Sequence, residues 1–136
     1  MSDNHPSQSA DLISANIIVN LPVDAPVHEI SDFALYKEEV VNEFRHVYYM
    51  SSIGDEDELP VQDGLDLLAE AIERARDDLT KILKLAGSTV TLDVAIFPNP
   101  GFATISYALP PALARQLVEL GIIFSVMTII PTEMSE

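Results

Sequence analysis

Apolar and polar positions along the chain follow two different periods, and the change of period marks the elements. Between residues 11 and 21, Ile13, Ile17, Val19 and Leu21 share one side and Ile18 takes the other. That two-residue alternation is the signature of a strand, and Pro22 ends it. Residues 44–53, FRHVYYMSSI, are rich in aromatic and β-branched types and predict another strand. From Asp63 to Ala86 the period changes. Leu65, Leu68, Ala69, Ile72, Ala75, Leu79, Ile82, Leu83 and Ala86 advance mainly by three or four residues, one face of a helix. Asp63 and Asp66 near its start and Lys81 and Lys84 in its last turns complement the helix dipole, and Gly87 suits a left-handed C-terminal cap. Glu70 with Arg74, and Asp77 with Lys81, have the spacing of i,i+4 ion pairs. An unbroken helix of this length would run ~36 Å, long enough to leave room for a break near Asp77–Asp78.

Residues 88–97, STVTLDVAIF, return to strand alternation, and Pro98-Asn99-Pro100-Gly101 is dense turn chemistry. Phe102 to Leu109 is expected to be a strand, hairpin-paired with the one before it. Pro110 and Pro111 pre-set a helical turn, and PALARQLVEL then runs as a short helix to Gly121. The final strand, 122–130, has apolar residues on both faces and no charge. It is expected to be central and covered, or buried against another subunit, because an exposed edge of this kind invites aggregation. Segment 23–43 fits a short helix or an irregular excursion equally well. Residues 1–10 read as a polar, mobile tail and 11–136 as a single domain. The predicted fold class is α+β: a mainly antiparallel sheet of about five strands, with one long and one short helix packed on one face. The strand–helix–strand order at 102–130 is compatible with a right-handed crossover between parallel strands.

Charge narrows the function. Twenty-two Asp and Glu stand against seven Lys and Arg, a net charge of -15 and a pI near 4.2. There is no basic stripe to release phosphate counterions, which argues against nucleic acid and against an anionic membrane surface. With 48% hydrophobic residues and a mean hydropathy of +0.20, the chain still has the means to build a core, unlike an acidic disordered tail. Cysteine is absent, so thiolate metal sites and disulfides are out. The first residues show neither a basic nor an apolar signal region, and IIFSVMTII is too short to span a bilayer. A cytoplasmic protein is expected.

The search for catalytic chemistry is negative. The chain has no GxxxxGK, GxGxxG, GxSxG or HExxH motif. No enzyme activity, cofactor or metal is expected. His28, Asp32 and His46 could be imagined as a metal or acid–base cluster, but their spacing does not specify one. Asp55-Glu56-Asp57-Glu58 invites a calcium reading. An EF-hand loop, however, needs an oxygen ligand and a glycine where Leu59 and Pro60 stand.

What remains is the distribution of acids. Asp55, Glu56, Asp57 and Glu58 form a loop, and Asp63, Asp66, Glu70, Glu73 and Asp77 advance by three or four residues into a helical ridge. Such a ridge is either a solvated helix surface or a field that attracts a cationic partner. Tyr48 and Tyr49 must point to opposite faces of their strand, so at most one belongs to the core and the other is a candidate contact residue. The leading expectation is an acidic domain that neutralises a basic protein, in the manner of a bacterial toxin immunity protein or nuclease inhibitor. Asp55–Glu58, the ridge, and Tyr48 or Tyr49 would make the contact. The alternative is a self-associating structural or accessory domain, a homodimer whose charge serves solubility alone.

The pieces YYMSS, GSTVTLDVAIF and GFATISYALPPALARQLVELGIIFSVMTI together resemble a small uncharacterised bacterial family, domain of unknown function four-two-seven-nine. The resemblance runs from Phe44 onward, and the N-terminal part departs from the family pattern. It implies a small α+β domain with no known enzyme activity, and it transfers no functional residue.

Overall fold

The computed structural model of the chain describes residues 10–53, 59–99 and 106–129. Its elements in chain order are β1 (Ala10–Pro22), β2 (Phe33–Val41), β3 (Phe44–Ser51), α1 (Val61–Arg74), α2 (Arg76–Leu83), β4 (Thr89–Pro98), α3 (Pro111–Leu120) and β5 (Ile123–Thr128). Among the described residues the strands form one sheet in the order β2-β3-β1-β4-β5. The pairs β2–β3, β3–β1 and β1–β4 are antiparallel and β4–β5 is parallel. The fold is α+β with a mainly antiparallel sheet, as the periodicity predicts.

Alternation decides which face is covered. On β1, Leu12, Ala15, Ile17, Val19 and Leu21 are buried, with a register shift between Leu12 and Ser14 that keeps both ends of this long strand in phase. Val47 and Tyr49 of β3 and Val90, Leu92, Val94 and Ile96 of β4 continue the same buried side. Against it pack Leu65, Leu68 and Ile72 of α1, Leu79 and Ile82 of α2, and Leu113 and Leu117 of α3. The opposite, open face has no helix packed on it among the described residues, and its side chains are half-buried. It carries Asn16, Ile18 and Asn20 beside Tyr48, His46, Thr91 and Asp93.

Four expectations are corrected. The single long helix is two. Ala75 leaves helical geometry (φ -94°, ψ 5°), and its N–H donates to both Ala71 and Ile72 carbonyls at 3.0 and 3.1 Å, two residues ahead of the Asp77–Asp78 pair. Segment 23–43 contains β2, which pairs with β3 across the two-residue turn Asn42-Glu43, with Asn42 at φ 58°. The expected strand at 102–109 is not seen over 106–109, which runs irregularly into α3, and its first part lies outside the described residues. Parallel pairing therefore joins β5 to β4, with α3 as the connection. Finally, β5 is not central: it is the last strand of the described sheet, and Ile123 and Met127 are 53% and 51% exposed. Gly87 lies in the left-handed region (φ 81°), as its position after the helix predicts, and Gly121 ends α3 in the same region (φ 74°). Of the tail expected at 1–10, residues 1–9 lie outside the described residues, while Ala10 is buried and begins β1.

Candidate functional site

The outer surface of α1 and α2 holds the predicted ridge. Burial of Leu65, Leu68 and Ile72 turns the other side of α1 to solvent, so Asp63, Asp66, Glu70 and Glu73 are all exposed, and Asp77 extends them onto α2. Asp63 also sits in the first turn of α1, where the helix dipole favours a carboxylate. The loop acids Asp55, Glu56, Asp57 and Glu58 lie outside the described residues.

The ridge has fewer cations than its spacing suggests. Arg74 does not pair with Glu70. Its Nε donates instead to Asp32, a residue held at φ 70° in the loop before β2. Arg76 reaches Glu119 of α3 at 3.0 Å and Glu73 at 3.6 Å. Glu73 also accepts from Nε2 of Gln116, a side chain only 5% exposed whose amide donates to the Ala69 carbonyl as well. Glu73 thus serves the α1–α3 contact. Asp63, Asp66, Glu70 and Asp77 have no ion-pair partner among the described residues. Asp78 accepts two hydrogen bonds at 2.9 Å, from the backbone N–H and the hydroxyl of Ser31, and these donors hold its carboxyl below the usual range. That bond pins the loop before β2 to α2.

The two tyrosines separate as strand geometry requires, and the register says which is which. Tyr49 is in the core at 1% exposure, so its place in a contact surface is corrected. Its hydroxyl donates to the His28 carbonyl at 2.6 Å. Burial, with the Glu38 charge adding to it, pushes the phenol up to about 12. A phenol whose folded pKa lies above its ordinary value near 10 stabilises the fold fully below that value. The contribution disappears as pH rises through about 12. Tyr49→Phe is therefore expected to flatten the fall of stability across this alkaline window. Urea midpoints measured from neutral to strongly alkaline pH check it, and an unchanged slope would count against this role.

Tyr48 lies on the open face instead, 6.1 Å from the Tyr36 ring, with the Lys37 ammonium 5.1 Å from its centroid. Lys37 pairs with Glu39 at 3.1 Å, and the Tyr48 hydroxyl also reaches Glu39. The sheet thus stands between Tyr48 and the helical ridge: the structure does not bring them together. Nor does it assemble the three imagined ligands. His46 is on the open face, Asp32 is held by Arg74, and His28 is in the loop on the helix side. Among the described residues no group of three or more His, Cys, Asp or Glu could hold a metal.

Sequence reasoning missed the junction of the loop before β2 with α2, made by Ser31–Asp78 and Asp32–Arg74. The partners are 47 and 42 residues apart, so no local spacing signals them. It also missed a cavity beside that junction, between residues 27–30 and the helix side of β2.

No protein-family model, no curated protein and no solved structure matches the chain. Among the described residues no helix is long and apolar enough to cross a membrane.

Proposed function

We propose that the chain is a non-catalytic, cytoplasmic binding module that neutralises a basic protein, as an immunity protein neutralises a toxin or an inhibitor a nuclease. The observation that carries this reading is the run of exposed carboxylates Asp63, Asp66, Glu70 and Asp77. They have no ion-pair partner among the described residues, on a chain of net charge -15. Charges of one sign on successive helical turns repel one another, and only Asp63 and Asp77, in the first turns of α1 and α2, also favour their own helix. Opposite a cationic surface the same field accelerates encounter and rejects neutral competitors. Asp55–Glu58 would extend the contact. Tyr48, on the other side of the sheet, would belong to a separate surface.

The test is capture of basic proteins, beginning with the products of neighbouring genes, at about 0.1 M and about 1 M salt, where the screening length falls from roughly 10 to 3 Å. A complex lost at the higher salt is the expected result. The exposed, uncharged side chains of β5 favour a second reading, self-association. A stable dimer by light scattering at both salt concentrations, with no basic protein captured, would replace the first reading with the second.

A further inference from the structure

The cavity beside the loop–α2 junction has a volume of about 540 Å³, within the range of roughly 300–1,000 Å³ typical of ligand sites. Its lining is of two kinds. Ile30 and Phe33 are buried core residues that form an apolar floor with Tyr49, and Leu35 adds a 47% exposed side chain. Glu29 and Glu38 are also in the lining, both exposed, and neither has an ion-pair partner among the described residues. No lysine or arginine lines the cavity among those residues. Arg45 of β3 donates to the carbonyls of Val23 and Ala25, at 2.8 and 3.2 Å. The Tyr49 hydroxyl is occupied by the backbone carbonyl of His28, which leaves the Glu29 and Glu38 carboxylates and the His28 imidazole as the polar side chains of the lining.

An apolar floor with carboxylate sides suits a long aliphatic stem that ends in a cation, because the stem is covered while the head keeps polar contacts. Position matters too. Phe33, Leu35 and Glu38 all pair with β3 on the side that faces the helices, the side that carries the ridge. Ser31, two residues beyond Glu29, is bonded to Asp78 beside the ridge residue Asp77.

We propose that this pocket takes a single arginine or lysine side chain of the basic partner, with the stem on Ile30, Phe33 and Leu35 and the head drawn to Glu29 and Glu38. The assignment rests on the binding reading above and adds to it a specific anchor, since a ridge of charge alone attracts without choosing a residue.

The experiment needs no partner protein, so its failure and a failed capture are separate results. The full chain, isotopically labelled, is titrated with capped arginine (N-acetyl-arginine methylamide), with agmatine, and with a neutral alkyl urea of equal length, while backbone amide shifts are followed. Capped arginine and agmatine are expected to saturate shifts at Glu29–Leu35, and the urea is not. E29Q/E38Q, at two exposed positions that leave the core intact, is expected to weaken both cations by about 5-fold or more. Shifts spread evenly over all acidic surfaces, or unchanged in that variant, would overturn the pocket. Binding of agmatine without capped arginine would identify a free small amine as the ligand and overturn the side-chain assignment.

Discussion

Leu92→Ala is expected to lower the stability of the fold by about 2–5 kcal/mol, the range for truncating a fully buried leucine. The upper part of that range applies here for a structural reason. Leu92 is 0% exposed at the middle of β4, directly opposite Ile17 of β1 and Phe124 of β5, so a strand fixes it on each side. The helices cap it from above, and neither a ladder of backbone hydrogen bonds nor a packed helix collapses easily into the space left behind. Domains of this size hold only about 5–15 kcal/mol in total, so the variant would sit near the threshold of unfolding. The neighbouring Thr91→Ala, on the open face, is expected to stay within about 0.5 kcal/mol. Urea denaturation of the two variants checks the pair: the midpoint should fall for Leu92→Ala with little change in slope, and hardly move for Thr91→Ala. Equal losses would mean that the open face is not open in solution.

That one-residue contrast is also what makes most of this fold legible from sequence. β1, β3 and β4 each have one face under helices, so their composition records the burial in a period of two. The helices record it as steps of three and four. β2 has no such record. It is the first strand of the described sheet, with Leu35 47% and Val40 60% exposed on the side that faces the helices and Tyr36 48% exposed near Tyr48. With little to bury, its sequence carries a Lys-Glu-Glu run instead, which is how natural edges discourage foreign strands. Its turn, Asn42-Glu43, lacks the glycine that usually advertises a two-residue hairpin. The site was legible to the same limited depth. Helical spacing places Asp63, Asp66, Glu70 and Asp77 on one exposed surface, and strand geometry separates Tyr48 from Tyr49. Which tyrosine is buried depends on the pairing of Ile17 and Ile18 with β3, and a single strand does not contain that register. The diversion of Arg74 to Asp32 depends on a contact made across the fold.

Gly64→Val is the other large expected effect, and Gly64→Ala shows why two opposing terms must be weighed. Gly64 lies in α1, where glycine is about 1 kcal/mol worse than alanine by intrinsic propensity. On that ground alone, alanine should stabilise. Contact says otherwise. A Cβ added at Gly64 would lie 2.9 Å from Cδ1, 3.0 Å from Cβ and 3.2 Å from Cγ of Leu12. The first of these atoms can swing away, but the Leu12 Cβ moves only with the β1 backbone, which is paired to β4 at Ile96 and bonded through its N–H to the Leu59 carbonyl at 2.9 Å. Overpacking of a fixed neighbour costs about 1–3 kcal/mol, so alanine is expected to be a net loss of about 1 kcal/mol. Valine adds two more carbons in the same gap and has little propensity advantage to offset them. It is expected to cost about 3 kcal/mol or more. The alternative is that α1 lifts off β1. Because Asp63 and Asp66 flank Gly64 on the ridge, lifting would move the acidic surface away from the sheet as well as loosen the core. Denaturant midpoints for the glycine, alanine and valine forms give the test. A descending series is expected, whereas an alanine form more stable than the parent would show that propensity outweighs the close approach of helix and strand.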